Sequence, residues 1–179
     1  TLDIVGDGNA NVLNLTGYNA GALTVTAGAG NDTITVDGAN THTLTGEAGN
    51  DTFVINGGTH TITDLSGSDI LTVASGATVS ATVSADFTAA STTANVGGTA
   101  TLTAADDADV DMTLATVATA ATDGYVIPAS GNAAASTLIG SAAADTITGG
   151  DNNDTLTGLA GADTISGGAG DDTITGGAG

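Results

Sequence analysis

Nine residues near the C-terminus decide the fold: Gly167-Gly168-Ala169-Gly170-Asp171-Asp172-Thr173-Ile174-Thr175. A six-residue turn rich in glycine comes first, and a three-residue strand follows it. Glycine supplies the backbone freedom that the turn needs. Neighbouring strand residues point to opposite faces, so Thr173 and Thr175 point outward when Ile174 points inward. Threonine is β-branched and suits that outward position. The stretch therefore predicts one turn and one short strand.

The same unit recurs through residues 136–179 with a period of nine. One aliphatic residue returns at each repeat, at Leu138, Ile147, Leu156, Ile165 and Ile174. An aspartate stands two residues before four of these, at Asp145, Asp154, Asp163 and Asp172. A disordered glycine-rich linker would not place one aliphatic residue at such strict intervals, so the period predicts a repeat architecture.

Residues 1–72 carry a looser version of the unit, which is clearest at 28–34, 47–53 and 67–71. Its aliphatic column runs through Ile4, Leu13, Val25, Ile34, Leu44, Phe53, Ile62 and Leu71. Residues 73–135 lack the turn motif and are rich in Ala, Thr, Val and Ser in alternating patches, which indicate short half-buried strands. We therefore expect three sections, at 1–72, 73–135 and 136–179, the middle one having coils of another size. The pattern stops midway at Gly179, so we expect a segment of a longer chain.

A nine-residue unit makes one turn and one strand, so two units close one coil. Units n and n+2 then stack directly, about 4.8 Å apart. The predicted fold is an all-β solenoid, a parallel β-roll of stacked nonapeptide repeats with an irregular middle section. Its core is a single file of aliphatic side chains, and its backbone edges are covered except at the ends.

Stacking also predicts which acidic residues meet. Asp145 should lie over Asp163 on one flank, and Asp154 over Asp172 on the other. Carboxylates one rung apart repel, so the arrangement needs a cation between rungs, or protonation. Aspartate oxygens together with turn carbonyls form an all-oxygen donor set, which suits Ca²⁺ better than Mg²⁺.

These residues resemble the RTX, or hemolysin-type calcium-binding, repeat, whose pattern is G-G-x-G-x-D-x-U-x. Residues 167–175 match every fixed position, whereas 140–148 have lost both inner glycines. The resemblance implies that each motif aspartate gives a carboxylate oxygen and that alternate turn residues give backbone carbonyls to several Ca²⁺ ions. The implied carboxylate ligands are Asp32, Asp51, Asp69, Asp145, Asp154, Asp163 and Asp172. The implied carbonyl ligands are Gly28, Gly30, Glu47, Gly49, Gly67, Gly150, Asn152, Leu159, Gly161, Gly168 and Gly170.

The two edges of the first section differ. Asp32, Asp51 and Asp69 should share one edge, whereas His42 and His60 occupy the aspartate place on the other. We expect calcium on one edge only in 28–72, and on both edges in 145–172. The histidines should be adjacent on the dry edge. They are either ordinary turn residues or part of a transition-metal site, which usually needs three or four ligands.

Composition narrows the function. The chain has 20 acidic residues, no Lys or Arg, no Cys and a formal charge of −20. These counts exclude a phosphate-backbone interface, disulfides and a thiolate nucleophile, and no apolar run is long enough to insert into a membrane. The acidic cluster at Asp106, Asp107, Asp109 and Asp111 is either a solvated loop or a further calcium site. No constellation of residues predicts an active site, so we expect no enzyme activity in these residues.

The leading functional hypothesis is a calcium-binding structural segment of a secreted bacterial surface protein, of S-layer or adhesin type. Such a segment would fold on meeting external calcium, and its partners would be calcium ions, neighbouring repeats or further copies of itself. The resemblance implies secretion, typically from a Gram-negative bacterium. Two alternatives stay open: a calcium-binding module attached to a secreted hydrolase or toxin, and an ice-binding adhesin segment with outward Thr-x-Thr rows.

Overall fold

A computed structural model describes residues 2–119, 122–129 and 133–179. The regular structure within these ranges is β-strand throughout. The strands are β1 (Leu2–Val5), β2 (Val12–Asn14), β3 (Leu23–Ala29), β4 (Thr33–Val36), β5 (Thr43–Ala48), β6 (Thr52–Ile55), β7 (Thr59–Gly67), β8 (Ile70–Val73), β9 (Thr78–Thr88), β10 (Ala94–Asn95), β11 (Thr99–Ala104), β12 (Val110–Asp111), β13 (Thr116–Val117), β14 (Tyr125–Pro128), β15 (Thr137–Ile139), β16 (Thr146–Thr148), β17 (Thr155–Thr157), β18 (Thr164–Ser166) and β19 (Thr173–Thr175).

The strands stack in parallel into a solenoid of about nine turns. A 13-stranded sheet runs along one side in the order β1-β3-β5-β7-β9-β11-β14-β16-β18, with a branch at β9, and a 6-stranded sheet covers residues 12–117 in the order β2-β4-β6-β8-β10-β13. Ile147 pairs with Ile165, and Leu156 pairs with Ile174. Units n and n+2 therefore stack as predicted, and the predicted fold class is confirmed.

The aliphatic column forms the core. Ile34, Phe53 and Leu71 lie one above another in the smaller sheet and are fully buried. The threonines beside them point outward and are only partly buried. Each fully buried aliphatic side chain contributes about 1.5–3 kcal/mol. Burial of the column is incomplete at the last rung. Ile174 is half exposed there, since no further strand of the described residues packs on β19.

The coil widens in the middle of the chain. Equivalent positions lie 18 residues apart at Asp51 and Asp69, but 23 apart at Asp86 and Asp109. The cause is the long strand β9, whose first part pairs with β11 while Phe87 and Thr88 pair with β12. Each coil there has three strand segments instead of two, and the wider lumen holds the larger side chains of Phe87, Leu102, Met112 and Tyr125.

The second face of the C-terminal roll continues from the third strand segment of the middle coils, which is formed by the end of β9 and by β12. Strand β12 pairs with β15, which pairs with β17, which in turn pairs with β19. Within the described ranges the 6-stranded sheet ends at β13. The two rolls therefore share the main row of the 13-stranded sheet, and their second faces differ: the first roll has the 6-stranded sheet and the C-terminal roll has the branch β12-β15-β17-β19.

None of the described residues belongs to a helix with the length and apolarity needed to cross a bilayer.

Candidate metal centre

The candidate site is a series of six-residue turns, each ending in the motif aspartate. We call these the motif turns and number their positions 1 to 6. The aspartate stands at position 6, and every predicted carbonyl ligand stands at position 2 or 4. The motif turns are 27–32, 46–51, 64–69, 140–145, 149–154, 158–163 and 167–172. Turns 27–32, 46–51 and 64–69 each connect a strand of the larger sheet to a strand of the smaller one, and the other four connect the two branches of the 13-stranded sheet.

The aspartates at position 6 form columns along the edges of the solenoid. The backbone N–H of Asp32 donates to Oδ1 of Asp51 at 2.8 Å, and that of Asp51 donates to Oδ1 of Asp69 at 2.8 Å. The three predicted ligands of the first section therefore share one edge. Asp32, Asp51 and Asp69 are at most 2% exposed.

The C-terminal roll repeats this arrangement on both edges. The backbone N–H of Asp145 donates to Oδ1 of Asp163 at 2.9 Å, and that of Asp154 donates to Oδ1 of Asp172 at 3.0 Å. One oxygen of each carboxylate is thus occupied by a charge-assisted bond to the rung before it. Stacked carboxylates were expected to need a cation between them. Since Oδ1 already accepts a hydrogen bond, that expectation now applies only to the second oxygen, Oδ2.

The second oxygen divides the motif turns into two kinds. In turns 140–145 and 149–154 the N–H at position 2 donates to Oδ2 at 2.6 Å, from Ser141 to Asp145 and from Gly150 to Asp154. Ser66 likewise donates to Oδ2 of Asp69 at 2.9 Å. We call these capped turns, since backbone donors occupy both carboxylate oxygens.

The other motif turns leave Oδ2 without a backbone donor, and we call them open turns. They are 27–32, 46–51, 158–163 and 167–172. Oδ2 of Asp32 and Oδ2 of Asp163 are buried and have no hydrogen-bond partner. A buried anionic oxygen without a partner is costly, so these two atoms need a cation or a proton beside them.

Backbone conformation accompanies this difference. Positions 2 and 4 of every open turn lie in the left-handed region, as at Leu159 (φ 74°) and Gly161 (φ 135°). Glu47 has a φ of 69° and is the equivalent of Leu159 in turn 46–51. The same positions of capped turns 140–145 and 149–154 have no positive φ. A left-handed conformation costs a non-glycine residue about 1–2 kcal/mol, so both residues are held there by the turns around them.

Carbonyl oxygens at positions 2 and 4 face the next rung. A Cβ added to Gly49 would overlap the carbonyl oxygen of Gly30, and one added to Gly161 would overlap that of Ala143. A Cβ on Gly170 would lie 2.7 Å from the carbonyl oxygen of Asn152. Glycine is required at these positions because of this close approach as well as the turn conformation. The carbonyl oxygens of Gly30, Asn152, Gly150, Leu159 and Gly161 are thereby placed between rungs.

Position 1 is a glycine in five of the seven motif turns, and Ala27 and Asp64 occupy it in the other two. The structure gives a reason for these glycines that the sequence did not indicate. A Cβ on Gly158 would overlap Oδ2 of Asp163, and a Cβ on Gly46 or Gly167 would meet the aspartate five residues later in the same way. The first glycine of the motif therefore leaves the space that the carboxylate occupies.

The donor set fits a hard divalent cation. Two of the open turns have an unpartnered carboxylate oxygen, at Asp32 and Asp163, and their position-4 carbonyl oxygens, of Gly30 and Gly161, face the next rung. Oxygen ligands of this kind suit Ca²⁺. Groups of three or more His, Asp or Glu side chains do not converge on one point anywhere in the described ranges. A cation at these edges would therefore take many of its ligands from the backbone. The fit is most complete between Asp32 and Asp51, where an open turn lies on another open turn.

Burial disfavours the charged form of three of the motif carboxylates, those of Asp51, Asp69 and Asp145. Loss of solvent raises the pKa of Asp69 to about 6, and the neighbouring charges of Asp51 and Asp64 add to that rise. Burial also raises the pKa of Asp51 and of Asp145, and Asp163 contributes to the shift at Asp145. A bound cation would oppose these shifts.

A turn at 6–11 belongs to the first column and was not predicted. The backbone N–H of Asn11 donates to Oδ1 of Asp32 at 2.7 Å, so Asn11 stands in the aspartate position. Asp7 occupies position 2, and hydrogen bonds from Asn9 and Asn11 lower its pKa. Gly6 and Gly8 are typical of such a turn. The turn was missed because its step to the next rung is 21 residues, longer than in the other repeats.

The acidic cluster of the middle section does not converge. Asp109 accepts from the backbone N–H of Thr137 at 2.6 Å, Asp111 accepts from that of Thr113 at 2.9 Å, and Asp106 accepts from that of Ala133. Asp107 has a φ of 64° in the turn beside them. The carboxylates of Asp106, Asp109 and Asp111 accept hydrogen bonds from backbone N–H groups at separate places around the wide coil.

Comparison with known proteins agrees with the turn geometry. The family model for the RTX calcium-binding nonapeptide repeat matches four times, at residues 20–40, 43–62, 130–165 and 148–179, which together make up about half of the chain. No curated protein and no solved structure matches the chain. The matched segments contain the open turns, with their buried carboxylate oxygens and inward-facing carbonyls, and calcium is the ion that such repeats bind. The chain belongs to the RTX calcium-binding nonapeptide repeat family.

Proposed function

We propose that this chain is a calcium-dependent structural segment of a secreted bacterial surface protein, of the S-layer or adhesin type. The observation that carries the proposal is the pair of buried, unpartnered oxygens, Oδ2 of Asp32 and Oδ2 of Asp163. Each belongs to an open turn at an edge of the solenoid, and the carbonyl oxygens of Gly30 and Gly161 in the same turns face the next rung.

The residues of the open turns would do three things. Asp32, Asp51, Asp163 and Asp172 would bind the ion through Oδ2, while their Oδ1 atoms keep the rungs in register. The carbonyl oxygens of Gly30 and Gly161 would complete the donor set. The ion would supply positive charge between rungs that carry only acidic and neutral residues.

Folding would then follow calcium concentration. A formal charge of −20 opposes compaction, because like charges repel. An ion that binds only the folded chain stabilises it by mass action. In a compartment poor in calcium the chain would stay unfolded and competent for export, and it would fold outside the cell.

A structural role is favoured over a catalytic one by the match itself, which is to a calcium-binding repeat. The solenoid also offers a continuous parallel sheet on which neighbouring repeats or further copies could stack. A calcium-binding module of a secreted hydrolase or toxin would use the same turns, and a catalytic domain elsewhere in the full-length protein would distinguish the two.

One surface feature favours ice binding as a second candidate function. The outward column Thr24, Thr43, Thr61, Ser80 and Thr101 places a hydroxyl on five successive rungs of the large sheet. Inhibition of ice recrystallisation by the calcium-loaded protein would support this candidate, and unimpeded recrystallisation would remove it.

Circular dichroism with calcium and with excess chelator tests the main proposal. We expect strand signal in calcium and a large loss of it in chelator, with recovery when calcium but not magnesium is restored. A strand signal that is unchanged in chelator would overturn the proposal. Asp163→Asn serves as the matched variant. It should reduce the recovery of strand signal when calcium is restored, while the nine-residue repeat stays intact.

A further inference from the structure

Two buried histidines form a column on the edge of the first section that lacks aspartates. The rings of His42 and His60 stack with centroids 5.1 Å apart and planes inclined by 19°. Both side chains are completely buried. The neighbouring rungs place Leu23 above His42 and Val79 below His60, so the polar part of the column is confined to two rungs.

Backbone hydrogen bonds determine how these rings carry their protons. Nδ1 of His42 accepts from the N–H of Leu23 at 3.1 Å, and Nδ1 of His60 accepts from the N–H of His42 at 3.3 Å. An imidazole nitrogen that accepts cannot be protonated, so each ring is neutral with its proton on Nε2. That proton donates to the carbonyl oxygen of Gly57 in His60, at 2.8 Å.

The Nδ1 atoms of the imidazoles therefore have the same role as the Oδ1 atoms in the aspartate columns. In both columns a side-chain acceptor takes the backbone N–H of the rung before it. The difference lies in what controls the acceptor, since an imidazole is lost as an acceptor when it gains a proton, near the pH range in which histidine titrates.

We propose that the His42–His60 column is a pH-sensitive latch, which holds the first rungs together while the imidazoles are neutral and opens on protonation, independently of calcium. A proton on Nδ1 would put two donors face to face at each rung. It would also leave two like charges stacked in a site without solvent.

The groups that face the column support this direction. Burial is the largest influence on both histidines and lowers their pKa. The charge of Asp37 raises the pKa of each, but by less than burial lowers it. The Tyr18 ring lies 6.0 Å from the His42 ring at 54° and brings no charge at neutral pH. Nε2 of His42 is buried without a partner, so a protonated ring would gain no acceptor on that side.

The test compares the wild-type chain with H42N/H60N at saturating calcium. The Oδ1 atom of asparagine can replace Nδ1 as the acceptor, but the amide does not titrate. Between pH 7.5 and 5.0 the wild-type unfolding constant should rise by up to tenfold per imidazole for each pH unit below about 6.5. The double asparagine variant should lose that part of the rise, whereas the contributions of aspartates and calcium stay common to both proteins.

Two further measurements keep the test decisive. H42L/H60L removes the acceptors and should be less stable than wild type at pH 7.5, and the difference should shrink at pH 5.0, where protonation removes the wild-type acceptors as well. In the wild-type chain, imidazole ¹⁵N spectra should show unprotonated Nδ1 at pH 7.5, and the protection factors of the Leu23 and His42 amides should fall on acidification. An identical pH response in wild type and H42N/H60N, or full protection of those amides with protonated rings, would overturn the proposal.

Discussion

At the scale of single residues, the second carboxylate oxygen separates aspartates that look alike. Asp145 and Asp163 occupy the same column one rung apart. Oδ2 of Asp145 accepts from the backbone and the hydroxyl of Ser141, whereas Oδ2 of Asp163 has no partner. The two residues should therefore respond in opposite ways to the same substitution.

Asp163→Asn should weaken calcium binding and leave the calcium-free protein as stable as before or more so. The amide removes a buried charge and keeps an acceptor for the N–H of Asp145. In Asp145→Asn the amide NH₂ must face a backbone donor whichever way it is turned, at Ser141 or at Tyr125. A donor left facing a donor costs about 1–3 kcal/mol. Thermal unfolding with calcium and with chelator measures both effects, and equal behaviour of the two variants would contradict the distinction between open and capped turns.

Leu159→Gly should stabilise the folded chain. Leu159 has a φ of 74°, and relief of a left-handed conformation gains about 1–2 kcal/mol. The greater freedom of glycine in the unfolded chain returns about 0.5–1 kcal/mol. Chemical denaturation should therefore show a net gain of up to about 1 kcal/mol. Gly161→Ala in the same turn is the control and should destabilise, since its φ is 135° and its Cβ would overlap the Ala143 carbonyl.

At the scale of the turn and strand, the motif works as a fitted unit. Gly158 leaves room for Oδ2 of Asp163, Gly161 leaves room for the Ala143 carbonyl of the neighbouring rung, and Thr164 and Ser166 flank the partly buried Ile165. Each glycine has a separate steric reason, so substitutions at equivalent positions should differ with what lies beside them.

Gly158→Ala and Gly176→Ala form a matched pair at position 1 of successive rungs on one edge. The added methyl at 158 would overlap Asp163, whereas the one at 176 meets nothing within 4 Å. Overpacking of this kind costs about 1–3 kcal/mol. Differential scanning calorimetry should show a lower Tm for Gly158→Ala and an unchanged Tm for Gly176→Ala. A similar Tm for both variants would indicate that the carboxylate moves aside at no cost.

The capped turn at 64–69 gives the calcium-free protein a pH response. The pKa of Asp69 is about 6 in the folded chain against 3.8 for the free side chain. The folded form binds the proton more tightly, so this group stabilises most at low pH, and its contribution disappears as the pH rises through about 6. In chelator, where the unfolded chain is favoured at pH 7.5, moving to pH 5 should shift the folding equilibrium toward the folded form by about 1 kcal/mol from Asp69, seen as a gain in strand signal.

The histidine column acts in the opposite direction over the same range, so the Asp69 contribution is measured as a difference. Asp69→Asn should remove it while leaving the histidines unchanged. A pH response of the same size in this variant would show that Asp69 is already ionised in the calcium-free fold.

At the scale of the whole molecule, stability is unevenly distributed along the solenoid. The middle coils contain Phe87, Leu102, Met112 and Tyr125 among their fully buried side chains and contain no motif turn. The last rungs of the C-terminal roll carry one aliphatic side chain per strand, and Ile165 and Ile174 are incompletely buried. Calcium should therefore matter most where apolar burial is least.

Hydrogen–deuterium exchange during calcium depletion should show this order. Protection in 158–179 should be lost first and protection in β9, β11 and β14 last, because ion binding adds stability only where the ion binds. Simultaneous loss along the whole chain would indicate one cooperative unit held by calcium throughout.

The period of nine by itself determined the parallel solenoid, the stacking of units two apart and the aspartate columns, because a strict repeat gives every rung the same register. Only the tertiary structure decided which turns are open, since the fate of Oδ2 depends on backbone conformation and on the rung above. It also decided the three-sided middle, where β9 is long enough to pair with two strands and begins the second face of the C-terminal roll. Sequence alone could not reach that result, because residues 73–135 have alternation without a fixed period, and alternation predicts strands without saying which rung each one joins. The division into three sections and the calcium ligands stay predictions.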